Sequence, residues 1–195
     1  MNNKNKFAIL VVIILVSVNL CFGMSLFKKP EYYLASFEGK VIDVDTKLPI
    51  EGAVILAIYH KTVHTIAGSN TYVIDGQETL TNANGEFKIS PKIVQSEKIS
   101  GKPRGSLLIF KPGYGVFPKH KQSEALGENK SWPPPNKYIV YEIPKLRTMK
   151  ERRKNARMWS IDKISYEKQK LYIEKLNSER KNLGLPLIHI SNEKR

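Results

Sequence analysis

Residues 52 to 61 read Gly-Ala-Val-Ile-Leu-Ala-Ile-Tyr-His-Lys. This run is too short for a typical helix and too uniformly apolar for a strand with one wet face. Its length and its Val and Ile content predict a strand buried on both faces. A strand covered on both sides needs apolar layers above and below it, so the rest of the chain must supply them.

The flanking sequence supplies strand signals first. Ser36 to Asp45 carries Phe37, Val41 and Val44 among polar residues and reads as a strand. Asp45-Thr46-Lys47-Leu48-Pro49 reads as a turn, because Asp and Thr bond nearby backbone and Pro presets φ. Residues 62 to 81 are rich in Thr, Val, Ile and Tyr around Gly68-Ser69-Asn70 and Asp75-Gly76, as strands or a long excursion. Asn82-Ala-Asn84-Gly85 is a turn signal, since Asn-Gly tolerates positive φ. Glu86 to Ser90 alternates, with Phe87 and Ile89 on one face. Residues 91 to 104 read as an exposed loop. Ser106 to Lys111 is a further strand, closed by Pro112-Gly113-Tyr114-Gly115. Residues 116 to 136 are loop-like, with Trp132 and Pro133 to Pro135 as an apolar platform or a pin to the core. Lys137 to Ile143 alternates Tyr138, Val140 and Glu142 against Ile139, Tyr141 and Ile143.

Four stretches carry a family pattern. They are Phe37-Glu-Gly39-Lys-Val41, Leu48-Pro49-Ile-Glu-Gly52-Ala53, Thr81-Asn-Ala-Asn84-Gly85-Glu-Phe87 and Phe110-Lys-Pro-Gly113-Tyr114. In this order they resemble the carboxypeptidase regulatory-like domain, over residues 35 to 143. The resemblance implies a transthyretin-like β-sandwich that serves as an accessory module, without an active site of its own. The residues have physical roles of the same kind. Gly39 and Gly52 relieve crowding, Pro49 shapes the first hairpin, Gly85 supplies a positive φ, and Phe87 fills the space between sheets.

Beyond Pro144 the pattern changes to helix. Thr148-Met-Lys-Glu151 fits a capping box, with a basic helix expected to about Met158. A second helix is expected from about Ser165 to Leu183, with Tyr172, Ile173, Leu176 and Leu183 near one face. Gly184 and Pro186 stop it, and Leu187 to Ile190 reads as a short closing strand.

At the other end, Lys4 and Lys6 precede an apolar run from Phe7 to Val18, the pattern of an export signal. Three fates fit: cleavage after Gly23, lipidation at Cys21, or retention as an anchor. Bulky Leu20 before Cys21 departs from the lipoprotein pattern. The expected location is extracytoplasmic: periplasm, cell envelope or secreted, with membrane anchoring as the alternative. Cys21 is the one cysteine, so residues beyond it form no disulfide with one another.

The formal net charge is +14. Such an excess favours polyanions. Export points away from nucleic acid and toward anionic lipid, a surface polymer or an envelope protein. From Lys145 to Arg195 fifteen Lys or Arg face six Asp or Glu. Lys150, Arg152, Arg153, Lys154 and Arg157 crowd the first expected helix, as an anionic-surface contact or as a solvated face.

Other sites read weakly. His60 and His64 lie on a β-prone stretch, where four residues span about 13 Å, too far to share a zinc. Ser160-Ile-Asp-Lys163 and Ser165-Tyr-Glu-Lys168 match the Ser-x-x-Lys pattern without its companion motifs. Gly113-Tyr-Gly115 lacks the rest of a phosphate loop. No cofactor, metal or catalytic residue is assigned.

The expected fold is mainly β: a transthyretin-like or Ig-like antiparallel β-sandwich, a C-terminal pair of α-helices and an N-terminal hydrophobic helix. The expected divisions are a signal or anchor at 1–23, a spacer at 24–34, the β region at 35–145 and a basic helical tail at 146–195. The expected function is a non-enzymatic exported envelope module. An anionic membrane or polyanion binder and an uncharacterised hydrolase are the alternatives.

Overall fold

The computed structural model describes residue 29 and residues 31–95, 102–119, 133–157 and 164–189. The expected amino-terminal signal, with Cys21 and Gly23, lies outside these residues, as do Trp132 and the Ser160–Lys163 motif. The described chain is mainly β. Its strands are β1 (Glu31–Leu34), β2 (Phe37–Asp43), β3 (Val54–Thr65), β4 (Gly68–Leu80), β5 (Glu86–Ile89), β6 (Lys92–Gln95), β7 (Arg104–Phe110) and β8 (Tyr138–Ile143). They form three sheets, ordered β4-β3-β7, β5-β2-β8 and β1-β6. Two α-helices follow, α1 (Met149–Asn155) and α2 (Lys170–Asn182), with a single 3₁₀ turn at Tyr166–Lys168.

The apolar run of β3 explains the layering. Ile55, Ala57 and Tyr59 enter one core with Phe37 and Val41 of β2, Phe87 of β5, Ile109 of β7 and Tyr141 of β8. The two three-stranded sheets share this core. Val54 and Leu56 point the other way, into a second core with Leu108, Phe110, Tyr172, Ile173, Leu176 and Leu183. The second face of β3 is thus covered by the carboxy-terminal helices. Tyr172 meets Phe110 edge to face, with centroids 5.7 Å apart. Burying each such large side chain contributes about 1.5–3 kcal/mol.

Several local expectations hold. β5 alternates as read, with Phe87 and Ile89 buried. The turn at Gly85 has φ +73, and a Cβ there would stand 2.5 Å from the Val41 carbonyl oxygen. β8 also alternates, its Ile139, Tyr141 and Ile143 inward.

Other expectations are corrected. Residues 31–34, read as spacer, form β1, and residues 92–95, read as loop, pair with it antiparallel. Neither has a strong pattern of its own: four residues pair across sixty intervening positions. Residues 62–80 resolve into the end of β3, a tight turn and the whole of β4, forming one long hairpin with the apolar run. The arrangement is not wholly antiparallel, because β2 and β8 pair in parallel from Glu38↔Tyr138 to Asp43↔Ile143. Strands so far apart in sequence need no hairpin, and the intervening crossover leaves either direction open. At the first turn the capping carboxylate belongs to Asp43, not Asp45: its Oδ1 accepts from the Asp45 and Thr46 N–H groups at 2.8 and 3.0 Å. Residues 187–189 form no strand; Asn177 holds Ile188 through both backbone groups instead.

Candidate functional site

Helix α1 starts where its capping box predicts. The Glu151 N–H donates to Thr148 Oγ1 at 3.2 Å, and Glu151 Oε2 accepts from the Thr148 N–H at 3.0 Å. The helix is only seven residues long and gains most of its order from tertiary contacts. Asn155 is buried, accepts from the Val116 N–H at 3.0 Å and donates to the Tyr114 carbonyl at 3.0 Å. Ala156 beside it enters the second core.

Arg152 lies on this inward face. Its Nε donates to Glu179 Oε1 at 2.8 Å and its Nη2 to Oε2 at 2.7 Å. The Glu179 side chain is only 1% exposed. The Glu179 carboxylate, by these hydrogen bonds, pushes the Arg152 guanidinium above its ordinary pKa. Arg152 is therefore a tie between α1 and α2, not a free surface contact as expected. Lys150, Arg153, Lys154 and Arg157 are exposed. Arg153 also reaches the Leu183 carbonyl at 3.4 Å. Among the described residues none of these four makes an ion pair. The nearby acids are occupied, Glu151 as cap and Glu179 by Arg152. What faces solvent is a cluster of four cations without a paired carboxylate among the described residues. The C-terminal dipole of α1 favours positive charge at that end.

The remaining titratable groups hold the layers together. Asp75 on edge strand β4 has a side chain 1% exposed. Its Oδ2 accepts from Lys92 at 3.1 Å and its Oδ1 from Lys168 and from the Gly76 N–H. Burial alone would raise its pKa; the hydrogen bonds from Lys168, Gly76 and Lys92 outweigh burial and hold the carboxyl below the usual range. Lys168, the lysine of the second Ser-x-x-Lys match, thus clamps the helical layer to the sheet. Sequence reasoning missed Asp75, although it and Glu78 are acids in an otherwise uncharged β-prone run, a signal for buried partners. Glu78 accepts the Leu171 and Tyr172 N–H groups at 2.7 and 3.1 Å. It caps α2, which has no acid in its own first turn. Burial pushes the Glu78 carboxyl up. Lys61 is fully buried, donates to the Tyr32 hydroxyl and sits 4.1 Å from the Tyr32 ring centroid.

The two histidines of β3 are held separately. His60 Nε2 is 3.0 Å from Ser106 Oγ, and His64 Nδ1 is 2.7 Å from Ser69 Oγ. Among the described residues no group of three or more His, Cys, Asp or Glu is placed to hold a metal. A groove of about 390 Å³ lies between Phe37, the Lys102–Gly105 segment and Pro133–Pro135. Pro133 is buried, so the proline run packs on the body at its first residue. No described helix is long and apolar enough to cross a membrane.

No family model, curated protein or solved structure matches the chain.

Proposed function

We propose that this protein is a non-enzymatic, exported envelope module that holds a cationic helix against an anionic surface. On this reading its β region is a sandwich of the carboxypeptidase regulatory-like type. Two three-stranded sheets around one core support that architecture. So do the close approaches at Gly39 and Gly85, where the resemblance has glycine. The amino-terminal segment delivers the module to the envelope.

One observation carries the binding assignment: Lys150, Arg153, Lys154 and Arg157 are exposed and make no ion pair among the described residues, while Glu151 and Glu179 are committed internally. Near an anionic lipid surface each cation strengthens binding by about fivefold. Four together give roughly two to three decades, screened over a Debye length of about 8 Å at physiological salt. The non-enzymatic reading rests on the carboxylates. Asp43, Asp75, Glu78 and Glu179 each accept hydrogen bonds that hold a turn, a sheet edge or a helix end.

Vesicle co-sedimentation tests the assignment. Vesicles of neutral lipid and vesicles with about a third anionic lipid are compared across salt concentrations. The anionic vesicles should bind, binding should weaken as salt rises, and reversing all four cations to Glu should weaken it at least about a hundredfold. Binding indifferent to both salt and charge reversal rejects the cationic face. A hydrolytic activity abolished by one substitution in the β region rejects the non-enzymatic reading.

A further inference from the structure

The groove beside the β1–β2 corner has walls that are already fixed. The Tyr59 hydroxyl donates to the Ala35 carbonyl at 2.7 Å and holds that residue in place. Asn136 clips the end of the proline run to the same corner. Its N–H donates to the Ser36 carbonyl at 3.3 Å, and Ser36 Oγ donates to its Oδ1 at 2.6 Å. Proline adds little backbone freedom of its own. A Cβ at Gly105 would stand 2.4 Å from the Phe37 ring, so the bare backbone of Gly105 lies against that ring. A site with its walls in place loses little ordering entropy on binding.

The lining decides what can bind there. It consists of prolines 103 and 133–135, Ala35, Phe37, Gly105, Lys102 and Arg104. None of these side chains can accept a hydrogen bond. The side-chain donors are the Lys102 and Arg104 cations, both exposed. Neither makes an ion pair among the described residues. A cation would meet two like charges, and a sugar would find no side chain to accept from its hydroxyls. An apolar body carrying an anion suits both parts of the lining: its body packs on proline, and its charge takes charge-assisted hydrogen bonds from Lys102 and Arg104. The volume of about 390 Å³ stands near the small end of ligand sites, which favours a compact molecule over a length of polymer.

We propose that this groove binds a small planar aromatic carboxylate, its ring against the prolines and Gly105 and its carboxylate on Lys102 and Arg104. The rigid proline rings and the missing Gly105 side chain leave flat apolar surface for the ring. The Arg104 guanidinium offers the carboxylate a two-pronged donor. The proposal is independent of the cationic face on α1.

Titration of the full chain with 2-naphthoate, followed by amide and side-chain NMR shifts, tests it. The probe should bind with a Kd of roughly 1 mM or tighter, the scale expected for a ligand of its size. The shifts should centre on Ala35, Lys102, Arg104 and Gly105. The neutral 2-naphthamide and the ringless acetate should each bind at least about tenfold more weakly. Lys102→Ala with Arg104→Ala should weaken 2-naphthoate by a similar factor. Both residues are exposed, so the spectrum elsewhere should stay unchanged. Lys102→Glu with Arg104→Glu should reverse the preference, toward 2-naphthylmethylammonium. Four results overturn the proposal. 2-Naphthoate does not bind at up to about 10 mM, or 2-naphthamide binds equally well. The shifts centre on residues 150–157, which makes binding a general response to positive charge. Or the double Glu variant keeps the wild-type preference for the anion.

Discussion

Removing the Arg152 guanidinium should unfold this protein far more readily than removing any neighbouring cation of α1. Arg152→Ala leaves the Glu179 carboxylate, 1% exposed, without the two charge-assisted hydrogen bonds that hold it at 2.8 and 2.7 Å. Breaking a buried pair from one side costs about 3–5 kcal/mol. The Arg152 side chain is itself 29% exposed. Water therefore reaches the vacated space, and the lower end, about 3 kcal/mol, is expected. In a chain of this size that lowers Tm by roughly 6–12 °C. Urea unfolding followed by circular dichroism reads the difference directly. Arg153→Ala and Lys154→Ala should stay within about 0.5 kcal/mol of the wild type. Replacing both partners, as Arg152→Met with Glu179→Leu, should recover most of the loss, since the penalty comes from an unpaired buried charge. An Arg152→Ala variant as stable as Arg153→Ala would refute the assignment of Arg152 to the interior.

Two further perturbations test the layers. A Cβ at Gly39 would stand 2.1 Å from the Ile139 carbonyl oxygen on parallel neighbour β8, so Gly39→Ala should cost at least about 2 kcal/mol by chemical denaturation; a neutral result would mean β2 and β8 do not pair in this register. The Asp75 carboxyl is held below its ordinary 3.8, so its charge adds stability above about pH 4 that is lost as pH falls through the lower folded value. Asp75→Asn should therefore be less stable than wild type at pH 7, with the gap narrowing as pH falls below the ordinary 3.8; a gap that stays constant into acid contradicts the clamp.

The features legible in the sequence share a short range. The two-faced burial of β3, the alternation of β5 and β8, the turn at Gly85 and the Thr148–Glu151 cap each depend on residues within one strand or one helical turn. Pairings that close over long loops left no local trace. β1 meets β6 across sixty positions, and β8 lies parallel to β2 with an offset of one hundred. Asp75 finds Lys168 ninety-three residues on. The cationic run shows how local counting goes wrong. All five cations of 150–157 look alike as charges, yet Arg152, Asn155 and Ala156 stand at i, i+3 and i+4, on one face of a helix. A buried Asn and Ala at that spacing mark the face that turns inward, and Arg152 must turn with them. Its partner had to be an acid on the next inward-facing helix. Glu179, three residues beyond buried Leu176 on α2, meets that condition. Periodicity, rather than charge density, thus separates the cation that holds the fold from the four that stay exposed.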